Sequence, residues 1–118
     1  MALIFTASAM SSPPAPAAVG DKTLHFAAYG TLGALAVRAT SGATLAGASS
    51  GAALAAWAIT TVYGVTDEFH QRFVPGRTPE IADVLADALG AMATIVPVWA
   101  FGIIARSRHA SGAPPRRR

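Results

Sequence analysis

The chain has 118 residues, the size of one domain, and a formal net charge of +3. Only 13% of its residues are charged and 53% are apolar, whereas a soluble domain carries about 25% charged residues, so the composition points to a membrane protein. It contains no cysteine, which excludes disulfides, thiolate metal sites and a cysteine nucleophile. Its basic residues gather toward one end rather than along one helix face, which argues against a nucleic-acid partner.

The first segment, Ala2 to Met10, is apolar but too short to cross a bilayer. Ala7-Ser8-Ala9 has the small-residue pattern of a leader cleavage site, without a basic run before it. Ser11 to Pro16 follows as a Ser/Pro/Ala linker, in which the prolines oppose a continuous helix. Residues 1–20 thus read as an apolar segment and a linker.

Residues 21–106 read as a transmembrane domain with three spans. The first runs from Lys22 to Val37; its 16 residues rise about 24 Å, short for a bilayer. The second, Thr44 to Thr66, is 23 residues without a charge. The third, Ile81 to Ala105, carries Asp83 and Asp87 near its start and Pro97 inside, where a kink is expected. Thr78 is the expected N-cap of that helix, with Pro79 in its first turn. Small residues promise close packing: Gly47 with Gly51, Gly30 with Gly33 and Ala34, Gly90 with Ala93. The expected fold is therefore all-α, a polytopic transmembrane bundle of three spans plus a short N-terminal apolar segment. Residues 107–118 read as a basic, disordered tail.

With three spans, Lys22 and the 63–83 region share one face, and the turn after Arg38 shares the other with the C-terminal tail. All six acids (Asp21, Asp67, Glu68, Glu80, Asp83 and Asp87) fall on the first face, against Lys22, Arg72 and Arg77, a balance of 3 − 6 = −3. The second face holds Arg38, Arg106, Arg108, Arg116, Arg117 and Arg118, +6. The positive-inside rule then places the tail in the cytoplasm and the 63–83 region outside.

That outer region concentrates the polar chemistry. Four acids, Asp67, Glu68, Glu80 and Asp83, lie between residues 63 and 83, in a chain otherwise apolar there. Tyr63, Asp67 and Gln71 are spaced at i, i+4, i+8 with His70 at i+7, so a helix continuing to Gln71 would carry them on one stripe, with Glu68 beside it. Val74-Pro75-Gly76-Arg77 has the sequence of a type II turn, which would fix where Arg77 points. Asp83 and Asp87 share a helix face, and Asp21, His25 and Tyr29 repeat the four-residue spacing on the first span.

The motifs Asp21-Lys22-x-x-His25-x-x-x-Tyr29, Tyr63-Gly64-x-x-Asp67-Glu68-x-His70-Gln71, Val74-Pro75-Gly76-Arg77 and Asp83-Val84-x-x-Asp87-x-x-Gly90 resemble those of the VanZ-like family, over about residues 21 to 95. The resemblance implies a small helical membrane protein of the bacterial cytoplasmic membrane, usually with four spans. It also implies an association with glycopeptide (teicoplanin) resistance; it supplies a location and a context, not a reaction. Two departures stand out: only about ten apolar residues precede the linker where the family has a full span, and an aspartate stands at Asp87 where members often carry asparagine.

An ionisable group inside a span is a functional candidate by default, which singles out Asp83 and Asp87. His25, Tyr29, Tyr63, Asp67, Glu68, His70, Gln71 and Arg77 complete the candidate ligand-binding set. Arg77 suits a phosphate or carboxylate through its planar fork; its structural alternative is an ion pair to Glu80 or Asp83. Gln71 suits sugar, amide or phosphate groups. Nothing specifies a nucleophile, and no HExxH-type spacing marks a metal site, so binding is expected rather than catalysis, without cofactor or metal. The expected partners are membrane lipids and an anionic lipid-linked or peptidoglycan-related headgroup. The alternatives are a small transporter or channel subunit, or a structural accessory of another membrane protein.

Overall fold

The computed structural model describes residues 1–11, 19–42 and 47–111. These residues form four helices and no strand: α1 (Ala2–Ser8), α2 (Asp21–Thr40), α3 (Ser50–Gln71) and α4 (Ile81–Ser111). The linker prolines and the C-terminal arginines lie outside them.

The helix ends follow local chemistry. Gly42 and Gly47 both take positive φ, 72° and 102°, in the turn between α2 and α3, a region glycine enters without steric cost. Ser49 then caps α3 by accepting from the Ala52 amide at 3.1 Å. The start of the charge-free run, Thr44 to Ala46, lies outside the described residues; α3 begins at Ser50 and runs on through the polar residues to Gln71. Past α3, the Arg77 amide donates to the Val74 carbonyl at 3.1 Å with Gly76 at φ 81°, the expected type II geometry. The start of α4 differs from expectation: Thr78 lies outside the helix, and the Glu68 carboxylate of α3 takes the capping place, accepting from the Glu80 amide at 2.9 Å. Helix α4 continues unbroken through Pro97 and on to Ser111, so Ser107 to Ser111 belong to it and not to a disordered tail.

Helix α4 is the centre of the bundle, packed on both α2 and α3. Contact between α2 and α4 rests on glycine. A Cβ at Gly30 would lie 3.3 Å from the Gly90 carbonyl oxygen, one at Gly33 would meet the Ala91 backbone at 2.8 Å, and one at Gly90 would collide with the Phe26 carbonyl. The Thr94 hydroxyl adds a bond to the Gly30 carbonyl at 2.9 Å. Gly47 is also a packing glycine, but against Gly102 of α4, whereas Gly51, Ala34 and Ala93 are exposed. Toward the Arg38 end, Val37, Ala48, Ala56, Ala91 and Ile95 form a buried apolar core. Both indoles donate across helices: Trp57 to the Ala88 carbonyl at 3.4 Å and Trp99 to the Ser50 hydroxyl at 3.0 Å.

Among the described residues, α4 over Ile81–Arg108 is the helix long and apolar enough to cross a membrane. Three clear spans do not follow from length and composition. Helix α2 carries Asp21, Lys22 and His25 in its first turns, and α3 trades the apolar residues before Ser50 for Asp67 to Gln71. The surface is nonetheless apolar around the bundle: Leu54, Ile59, Val62 and Val65 of α3 and Leu85, Leu89, Met92 and Val96 of α4 are exposed, while seven polar side chains of the three long helices are buried.

Candidate functional site

All of those buried polar groups except Thr60 collect at one end of the bundle. The four-residue spacing on α2 points His25 and Tyr29 inward, both under 10% exposed. From α3 come Asp67, Glu68 and Gln71, and from α4 come Asp83 and Asp87, all under 7% exposed. Buried acids at this density demand partners. His25 Nδ1 lies 2.9 Å from Asp87 Oδ1, joining α2 to α4. Gly64 makes room for that pair: a Cβ there would sit 2.7 Å from Asp87 Oδ2. The glycine of the Tyr63-Gly64 motif is thus a site residue in its own right.

Around this centre the rim is ionic. Lys22 donates to Glu80 at 2.7 Å and stands 3.5 Å from Asp83 Oδ1. Arg77 reaches back to Asp21 at 3.3 Å, so the partner of Arg77 is Asp21 and not Glu80 or Asp83, both of which face Lys22. The type II turn decides this by carrying Arg77 toward α2. Six atoms of the centre carry no hydrogen bond: Tyr29 Oη, Asp67 Oδ1, Glu68 Oε1, Gln71 Nε2, Asp83 Oδ1 and Asp87 Oδ2. A buried polar atom without a partner costs about 1–3 kcal/mol, and such atoms mark places built to receive a polar group.

The stripe expected on α3 divides. Asp67 and Gln71 turn inward, whereas Tyr63 and His70 are half-buried and face α1. Tyr63 donates to the Met1 carbonyl at 2.9 Å; Phe5 stacks on His70 with ring centroids 4.6 Å apart; and the Ser8 hydroxyl donates to Asp67 Oδ2 at 2.6 Å. The short N-terminal segment is therefore a docked wall of the site. Composition gave no hint of this, since Ser8 is the one buried residue of α1 and only Ile4 besides it is half-buried.

Helix α1 packs on α3 but leaves a gap toward α2. That gap is a cleft of about 330 Å³, with Leu3, Ile4, Leu24 and Ala28 as apolar walls. Tyr29, Asp67 and His25 supply its polar lining, together with Asp21 and Arg77. The same cleft thus collects the unpartnered Tyr29 hydroxyl and the unpartnered Asp67 oxygen.

A family model described as VanZ/LLP1 matches residues 2–103. The chain belongs to that family. The match takes in α1 as well as the residue 21–95 region that carries the motifs, in keeping with the docking of α1 on the motif residues of α3. No curated protein and no solved structure matches the chain.

Proposed function

We propose that this VanZ/LLP1 family member is a multi-pass protein of the bacterial cytoplasmic membrane that binds an anionic, lipid-linked envelope headgroup on its outer face and thereby alters glycopeptide susceptibility. The cleft between α1 and α2 carries this reading. It combines an apolar wall suited to a hydrocarbon chain with a buried floor of unpartnered hydrogen-bonding atoms. Arg77 stands at its edge, paired with the half-exposed carboxylate of Asp21. A phosphate or carboxylate on the ligand would take over the Arg77 fork, and ligand hydroxyl or amide groups would meet Tyr29 and Asp67.

The membrane setting is supported by the apolar length of α4 and by the inversion of polarity, with apolar side chains outside and acids inside. An apolar exterior with ionisable groups turned to the bundle interior is the arrangement expected in lipid. The outward orientation rests on the charge count, −3 against +6. A transport path is disfavoured because the buried polar groups give way beyond Asp87 to Ala91, Ile95 and the small-residue core.

Teicoplanin susceptibility in a bacterium expressing the chain tests the reading. Tyr29→Phe, Asp67→Asn and Arg77→Ala are each expected to abolish the susceptibility change at unchanged membrane abundance. A full effect retained by all three would remove the cleft from the mechanism. Labelling of a cysteine introduced at Thr78 should occur from outside the cell; labelling from the cytoplasm alone would overturn the orientation.

A further inference from the structure

We infer that Asp21, His25 and Asp83 form a divalent-cation site beside the cleft. One ligating atom from each lies within 4.8 Å of the others. The group is more than a set of neighbouring acids, because its imidazole is held in place. His25 turns Nδ1 to the fully buried Asp87 carboxylate at 2.9 Å, so Nε2 is the nitrogen that would take the metal. A carboxylate behind a histidine is the arrangement that orients metal-bound imidazoles and raises their basicity.

Asp83 supplies the second observation. It is 2% exposed, and its Oδ1 accepts no hydrogen bond. The cation facing it is the Lys22 ammonium at 3.5 Å, longer than the 2.7 Å contact by which the same ammonium binds Glu80. Lys22 is 55% exposed along its side chain and remains paired to Glu80 if it leaves Asp83. The buried oxygen is thus available to a stronger cation. Asp21 commits Oδ2 to Arg77 and keeps its other oxygen.

One imidazole and two carboxylates suit a first-row divalent ion such as Zn²⁺ or Mn²⁺ rather than a soft or an all-oxygen ion. Ligand atoms about 2.1 Å from such an ion stand roughly 3.0–3.5 Å apart, so the three side chains must draw together by an ångström or so. Asp21, exposed at the first residue of α2, has the freedom to make that movement. Three protein ligands leave a coordination position open. Asp21 and His25 also line the cleft, so the open position faces the cleft and offers a Lewis-acidic contact to an anionic oxygen there. The cation would also offset the excess of buried carboxylates over buried cations at this end of the bundle.

The site is independent of the glycopeptide reading, because cation binding is measured on the purified protein. The full chain in detergent, stripped with a chelator, is titrated with Co²⁺ and Mn²⁺ and followed by optical and electron-spin spectroscopy, with Zn²⁺ as competitor. The expected result is one saturable site with nitrogen coupling from a single imidazole. His25→Ala should remove the coupling, and Asp83→Asn and Asp87→Asn should weaken binding by about tenfold or more. Trp99→Phe, which removes only the bond to Ser50 away from the cleft, should leave binding unchanged. Lys22→Ala should tighten it, since the competing ammonium is gone; a purely structural cluster gives no such gain. Where an aspartate substitution prevents folding, the wild-type coupling and the Lys22→Ala gain decide the matter. Absence of saturable binding by the wild-type chain, or binding that survives His25→Ala, overturns the proposal.

Discussion

The two ends of the bundle are held by different physics. At the end marked by Val37, Ala48 and Ile95, small residues bring backbones together and dispersion does the holding, with hydrogen bonds such as Arg106 to the Ala48 carbonyl at 3.0 Å closing the edge. At the other end, seven polar side chains are buried, the helices are tied by His25–Asp87 and Glu68–Glu80, and several buried atoms go without partners. The first end is held mainly by its own packing. The second holds stability in reserve for something else, which is how a binding site differs from a core. Gly90 lies between the two, one turn below Asp87, and lets α2 and α4 approach closely enough for both.

Substitutions can break or sharpen that contrast. The largest effect is expected at the polar end for Asp87→Ala, which strands His25 and should cost about 3–5 kcal/mol, the penalty for removing one partner of a buried pair; thermal unfolding in detergent micelles checks it. Gly90→Val, where a Cβ would collide with the Phe26 carbonyl, should cost about 1–3 kcal/mol or more by overpacking. The same assay, together with cross-linking between α2 and α4, would show separation of the helices. Glu68→Ala deprives the Glu80 amide of its acceptor and should cost about 1–2 kcal/mol; Glu68→Gln, which still accepts, should recover most of it. Thr94→Val removes the bond to the Gly30 carbonyl and should cost about 0.6 kcal/mol, typical of interhelical bonds in membranes. Tyr29→Phe is the sharpest case: its hydroxyl has no partner, so stability should hold or rise while susceptibility is lost. A large loss of stability there would mean that the hydroxyl serves the fold and not a ligand.

Much of the polar end is readable along the chain because it is written in helical spacing. His25 with Tyr29, Asp67 with Gln71 and Asp83 with Asp87 each declare a face, and a face of acids in an apolar helix must turn inward. The Val74–Arg77 turn is equally local, since proline and glycine set its dihedral angles. The division of the α3 stripe is not local. Tyr63 and His70 leave the centre because α1 offers them a carbonyl and an aromatic ring, and a seven-residue apolar helix announces no such docking. The cap of α4 is long-range for the same reason: Thr78 has the right side chain, but Glu68 arrives from another helix with a carboxylate, a stronger acceptor.

The sequence by itself determined an all-helical, acid-bearing chain of the VanZ/LLP1 family and named the residues of its polar end, because composition, spacing and turn chemistry act over a few residues. Only the tertiary structure decided who meets whom: His25 with Asp87, Lys22 with Glu80, Arg77 with Asp21, and α1 against α3 with a cleft beside it. Pairing among like-charged candidates depends on where glycines let backbones approach and where a turn aims a side chain, and those positions are set by the packing of whole helices.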